Sequence, residues 1–247
     1  MRTIAIAFAA GLAVSAVPVQ AQGILDTFRE LKGTVETLAG KSTQAASGSL
    51  ERRYDVSEFT VAGIKLGMTP DEVETVMREA GFRINKIGEI ISFSELVQRE
   101  ADRLRQPNPV KGGVRSVSSI FGSDDQGNHL SVDFISLREG ARVKEVSLTF
   151  NGNTIDVATL RSDVIARYDQ PTIDDRYQFT LHWCSHEETQ CRIVGSTAPQ
   201  LWFTQYVGSH SLRLSNANAM QAQQKKQIAS YFSAPTADRQ RSLLGGL

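Results

Sequence analysis

Between Leu130 and Phe150 the chain alternates apolar and polar residues with a period of two. Leu130, Val132 and Phe134 fall on one side of an extended segment, and Val146, Leu148 and Phe150 on one side of the next. Residues at i, i+2 and i+4 of a strand share a face. Each segment therefore has one face to bury and one to leave polar. Asp124 to Asn128 (DDQGN) forms a turn before the first segment, and Arg138 to Ala141 (REGA) joins the two. Residues 113–122 supply a further strand. Connections this short permit only antiparallel neighbours, so residues 113–150 are predicted to form a three-stranded antiparallel meander.

The helices that would back such a sheet carry their own punctuation. Thr69 is an N-cap, Pro70 takes the first helical position and Glu72 completes a capping box. Val73, Val76, Met77 and Ala80 form the apolar stripe, and Gly81 ends the helix. Ser92 and Glu95 repeat the box ahead of Phe93, Leu96, Val97, Ala101 and Leu104; this helix stops before Pro107 and Pro109. Between the helices, Phe82, Ile84 and residues 87–91 read as strand. Phe59, Val61, Ile64 and Leu66 read as an extended approach interrupted by Gly63 and Gly67.

A second strand–helix–strand unit follows. Val157, Leu160, Val164, Ile165 and Tyr168 mark its helix, closed by Pro171. Tyr177, Phe179, Leu181 and Trp183 alternate as a strand, residues 191–195, 200–207 and 211–214 add further strands, and Ala217 to Phe232 forms a last helix. An offset of 88 residues lays Val76-Met77 on Val164-Ile165 and Gly81 on Asp169. The expected class is α+β: one or two antiparallel sheets backed by helices, with 54–150 and 151–215 as two units of a candidate tandem duplication and 216–247 as C-terminal helix and tail.

Residues 1–21 read as a signal peptide. Arg2 precedes an apolar run from Ile4 to Val17, Pro18 breaks it, and Val19-Gln20-Ala21 offers small residues for cleavage near Ala21. The run is shorter than the roughly 20 residues needed to span a bilayer, and no transmembrane segment is expected elsewhere. The expected location is periplasmic or secreted. Arg2 is the only charged residue removed, which leaves 26 basic and 27 acidic side chains, a net charge of −1. Such a balance gives no electrostatic case for nucleic acid. Residues 22–40 read as an amphipathic helix, with Ile24, Leu25, Phe28, Leu31, Val35 and Leu38 on one stripe, and 41–53 as a linker. That stripe is expected to pack on the body, to touch a membrane surface, or to pair with another copy as a homo-oligomer through residues 23–38.

The two cysteines, Cys184 and Cys191, are close in sequence. In an exported chain such a pair reads as a disulfide closing a short loop, worth about 2.5 kcal/mol by chain entropy. His182, Cys184 and His186 would share a strand face, and with Cys191 they make the one zinc-like set. Three ligands on one strand are a poor tetrahedral cage, so the disulfide is preferred. Asp124-Asp125 and Asp174-Asp175 are acidic turn pairs with weak calcium potential. No Gly-x-Ser-x-Gly elbow, zincin helix or phosphate-binding glycine loop occurs. No catalytic residue, metal ligand or cofactor is assigned. Aromatic residues concentrate late in the chain. Trp183, Trp202 and Tyr206 are the candidate interaction surface if they face outwards, and core if they do not.

The run Gly63-Ile64-Lys65-Leu66-Gly67-Met68-Thr69-Pro70-Asp71-Glu72-Val73 resembles a motif of small exported bacterial proteins. These are the outer-membrane-assembly lipoproteins of the SmpA/OmlA (BamE) type and proteins of the β-lactamase-inhibitor-protein-like fold. The resemblance covers about 20 residues. It implies helices against an antiparallel sheet, sometimes repeated in tandem, with Met68 filling the core beside the helix. It departs from the lipoproteins in lacking a lipidation cysteine and in placing a strand between the two helices. It implies a binding or envelope-assembly protein with a protein partner in the cell envelope. Two rivals stand beside this expectation: a periplasmic hydrolase acting on cell wall or a secreted substrate, and an oligomeric structural protein.

Overall fold

Among the described residues eight strands pair into one antiparallel sheet, in which β2–β4 and β6–β8 turn apolar side chains to a shared core and β1 is an edge strand with no buried residue. The computed structural model describes residues 54–106, 115–152, 155–175, 177–185 and 196–233. The signal peptide 1–21, the helix 22–40, the linker 41–53, the strand expected at 191–195, His186, Cys191 and residues 234–247 lie outside the described residues. The strands are β1 (Arg83–Ile90), β2 (Ser116–Ser123), β3 (His129–Leu137), β4 (Gly140–Asn151), β5 (Ile173–Asp175), β6 (Thr180–Cys184), β7 (Gln200–Tyr206) and β8 (Ser209–Ser215). Their order is β1-β2-β3-β4-β8-β7-β6-β5. The helices are α1 (Pro70–Glu79), α2 (Phe93–Arg103), α3 (Val157–Tyr168) and α4 (Ala217–Ser233). The class is α+β, and the meander β2-β3-β4 is as the alternation predicts. Segments 54–150 and 151–215 each give four strands, and these join edge to edge where β4 pairs with β8.

One face of the sheet holds the core. A row of buried side chains crosses it from Ile120 through Val132, Val146, Leu214 and Leu201 to Trp183, each the cross-strand partner of the next. Leu130, Leu148, Leu212, Phe203 and Leu181 make the next row. Helix α1 covers this face with Val73 and Met77. Its approach is close enough that a Cβ built on Gly122 would lie 2.6 Å from the Met77 Cε. Helix α3 covers the other half with Leu160, Val164 and Tyr168. The aromatic rings of Tyr54, Phe59, Tyr168 and Trp183 follow one another at centroid separations of 6.1, 5.2 and 5.9 Å. Residues 54–60, which precede the first half in sequence, thus clasp the helix of the second. The Tyr168 hydroxyl donates to the Thr60 carbonyl at 2.6 Å.

Helix α1 begins and ends as its sequence dictates. The Thr69 Oγ1 accepts from the Glu72 N–H, and the Glu72 carboxylate accepts from the Thr69 N–H at 2.7 Å. At the other end Gly81 adopts φ +82° and donates to the Arg78 carbonyl, while the Phe82 N–H donates to that of Met77. That pair of bonds is the Schellman closure, which favours glycine because the left-handed conformation penalises a Cβ. The second box is only half made. Ser92 accepts from the Glu95 N–H, but the Glu95 carboxylate pairs with Arg99 at 2.9 Å. Met68 is half-buried, with its sulfur accepting from the Lys65 N–H. The methionine that fills the core is Met77, fully buried on α1; the Met68 carbonyl accepts from the Val143 N–H of β4 at 2.9 Å.

One further expectation is corrected. Tyr177 and Phe179 do not belong to a strand; they form the turn between β5 and β6, with Phe179 at φ +51°. Helix α4 covers the opposite sheet face only at one corner, where Met220 packs on Ile135 and Leu137, and it buries Tyr231 against Phe93 and Val97 of α2.

Candidate functional site

The remainder of that second face is polar, and among the described residues no helix covers it. Its side chains are the members of each alternation that point away from the core. One row runs Phe121, Ser131, Ser147, Arg213, Trp202, His182 across β2, β3, β4, β8, β7 and β6. A second runs Ser123, His129, Thr149, Ser211, Thr204, Thr180. Phe121, His129 and Arg213 are exposed, and Trp202, Ser131, Ser147, Thr149, Ser211 and Thr204 are half-buried. An antiparallel sheet with one dry and one wet face is ordinary. A wet face carrying a tryptophan, a phenylalanine and an arginine in one register row is a more specific surface, since these are the side chains that anchor interfaces.

Arg213 organises the centre. Its guanidinium bonds the Glu145 carboxylate at 2.7 Å and lies 5.8 Å from the centroid of the Trp202 ring. The His182 ring meets Trp202 edge-on at 6.2 Å. Glu145 is the direct cross-strand partner of Asp133. Burial raises the Asp133 carboxyl above its ordinary value; Lys144 opposes the shift, Glu145 adds to it and Arg213 opposes it. The centre is thus the Glu145 carboxylate held by one guanidinium beside an aromatic ring, with Asp133 as its cross-strand neighbour. It can accept hydrogen bonds, stack a planar group, or exchange Arg213 between Glu145 and an incoming acidic group.

The residues singled out from sequence divide. Trp202 is on this face, half-buried. Tyr206, 60% exposed, ends β7. Trp183 takes the core alternative and does not face outwards. It is fully buried on the core face at 0% exposure, and its indole N–H donates to the Asp169 carbonyl at 3.0 Å. Alternation along β6 puts Trp183 opposite His182 and Cys184, so the two tryptophans face apart. Cys184 ends β6, buried, with Ile173 against it; among the described residues no cysteine is a free thiol.

The acidic turn pairs are occupied within the protein. The Asp124 carboxylate accepts from the Gln126 and Asn128 N–H groups and from the Asn128 Nδ2, and Asp174 pairs with Arg161 at 2.6 Å. Arg213, Glu145, Asp133, Phe121 and Ser147 were not singled out. The alternation His210, Leu212, Leu214 places Arg213 on the other face, and that signal could have found it.

Fold and site together define an α+β protein with one extended antiparallel sheet, a helix-covered dry face and a largely open polar–aromatic face. Comparison with family models, curated proteins and solved structures finds no match to this chain.

Proposed function

We propose that this chain is an exported, non-enzymatic binding or envelope-assembly protein that presents the open sheet face to a protein partner in the cell envelope. The observation that carries the reading is the row Phe121–Ser147–Arg213–Trp202, which sets aromatic and guanidinium anchors on a rigid sheet among small hydroxyl residues. A sheet holds such anchors without the ordering cost that a loop would add. The motif at Gly63–Val73 and its resemblance to envelope-assembly proteins support the same reading. So does the element order, in which α1 precedes β1–β4, with α2 between β1 and β2, and α3 precedes β5–β8, the two sets joined where β4 pairs with β8. Export rests on residues 1–21, and it favours a Cys184–Cys191 disulfide that would fix the end of β6. Crosslinked capture from the native envelope tests the reading. The wild type is expected to retain a stoichiometric partner that the Trp202→Ala/Arg213→Ala variant loses. Equal capture by both proteins contradicts the assignment of the face.

One observation favours the hydrolase as a second reading: the Asp133–Glu145 pair, in which burial holds one carboxyl up. A carboxyl raised by burial beside a second acidic side chain is an arrangement acid–base catalysis uses. Release of soluble fragments from wall material by the wild type, abolished in Asp133→Asn, would support it; no release would remove it.

A further inference from the structure

We propose that the partner sets an acidic side chain on Arg213 and that Asp133 takes up a proton as it binds, so that docking tightens as pH falls. The inference rests on the open-face reading and adds to it the chemistry of the partner and a control by pH. The charge that the centre shows to solvent is positive. The Arg213 side chain is 54% exposed, and that of Glu145, to which it bonds at 2.7 Å, only 15%. Asp133 stands half-buried beside them as the cross-strand partner of Glu145. The guanidinium also lies over the Trp202 ring, so it is presented with little ordering cost. Its bond to Glu145 leaves other N–H donors of the fork for an incoming carboxylate.

Proton coupling follows from what surrounds Asp133. From β2 it meets Ser119, which is buried. From β4 it feels Lys144 and Glu145, and from β8 Arg213. Helix α4 reaches this end of β3 with Met220 and Gln224, while its Lys225 and Lys226 are exposed. Burial, first among the causes, raises the Asp133 carboxyl above its ordinary value; Lys144 opposes the shift, Glu145 adds to it and Arg213 opposes it. Arg213 thus already favours ionised Asp133. A carboxylate that pairs with Arg213 cancels part of that effect and brings a further negative charge. Both changes favour the protonated acid. The coupling is reciprocal: a group that raises the proton affinity of Asp133 is itself bound more tightly once Asp133 is protonated. The proton comes from solvent, and no covalent bond of the partner changes. His182, edge-on to Trp202, and His129 are the other titratable groups of the two register rows, so the test separates them from Asp133.

The probe is a short polyglutamate peptide, whose carboxyls stay largely ionised above about pH 5. Calorimetry with the full chain without residues 1–21, between about pH 7.5 and 5 and in buffers of different ionisation enthalpy, reads affinity and proton uptake together. The expected result is net proton uptake and an affinity that rises as pH falls, by at most about tenfold per pH unit for one proton. Asp133→Asn binds more tightly than the wild type at neutral pH and loses the slope, while His182→Phe and His129→Gln keep it. Arg213→Gln loses the peptide and Arg213→Lys retains part of the binding, with circular dichroism confirming that each variant folds. Absence of peptide binding, an affinity indifferent to pH, or a slope that survives in Asp133→Asn overturns the proposal. Envelope capture tells this failure from that of the open face. A partner lost from the Trp202→Ala/Arg213→Ala variant but held equally at both pH values overturns the proton coupling alone; a partner that this variant retains contradicts the open face itself.

Discussion

Replacing Trp183 by alanine tests the division of the sheet into a dry and a wet face. Its side chain is wholly buried between Tyr168 of α3 and the Leu201 and Leu214 row, and its indole N–H bonds the Asp169 carbonyl. Truncation removes the largest fully buried side chain, leaves a cavity and strips that carbonyl of its donor at the C-terminal end of α3. Large-to-small aromatic substitutions in cores cost about 3–5 kcal/mol. For a chain of this size each kcal/mol lowers the melting temperature by roughly 2–4 °C. Trp183→Ala is therefore expected to melt roughly 10 °C or more below the wild type, with an unchanged urea m-value. Trp202→Ala removes a ring supported mainly by Arg213 and His182 on the wet face, and is expected to cost only about 1 kcal/mol. Urea and thermal denaturation followed by circular dichroism measure both. Equal costs, or a Trp183→Ala cost below about 1 kcal/mol, would refute the assignment of faces.

Other expected outcomes follow from single contacts. Thr69→Ala removes the acceptor for the Glu72 N–H and half of the capping box, and should lower stability by about 1 kcal/mol in urea titrations. His210 is buried between Phe150 and Gln205, and burial lowers its imidazole pKa below 6.5. The unfolded chain then takes up the proton first, so stability is full above that value and falls as pH drops through it. Melting profiles between about pH 7 and 5 should show this slope in the wild type and a flatter line in His210→Leu. Asp133 has the opposite sense for an acid. Its raised pKa, caused first by burial, means the charged form disfavours the folded state above that pKa, and the penalty disappears as pH falls through it. Asp133→Asn is expected to be at least as stable as the wild type near neutrality and to lose that advantage in acid; a variant less stable at neutral pH would contradict this.

Local chemistry was the legible part of this fold. The Thr69–Glu72 box, Pro70 and Gly81 define helix α1 to within a residue, because caps are decided by neighbours in sequence. Alternation over residues 130–150 reveals the meander for the same reason. The pairing of β4 with β8 joins residues some 60 positions apart, and no short-range pattern announces it. Alternation also misled at Tyr177 and Phe179. A period of two persists through a turn whenever its residues happen to be aromatic, and the positive φ of Phe179 has no signature in a phenylalanine. Trp183 was ambiguous because a strand's two faces are distinguished only by which one a helix covers, here α3 through Tyr168. Helix α4 meets the body through Met220 and Tyr231, three turns apart, too sparse a stripe to place it from sequence. The open site was least legible. Most of its residues are serines, threonines and one arginine at the polar positions of six strands, and they become a surface only when the register aligns them.

The central claim is that the open face, and not the helical side, meets the partner. Photo-crosslinking amino acids placed singly at Ser147, at Arg213 and, on exposed α1, at Glu79 address it directly in the native envelope. The account predicts one common crosslinked species from Ser147 and Arg213 and none from Glu79. A species captured from Glu79, with nothing from the sheet positions, would contradict it.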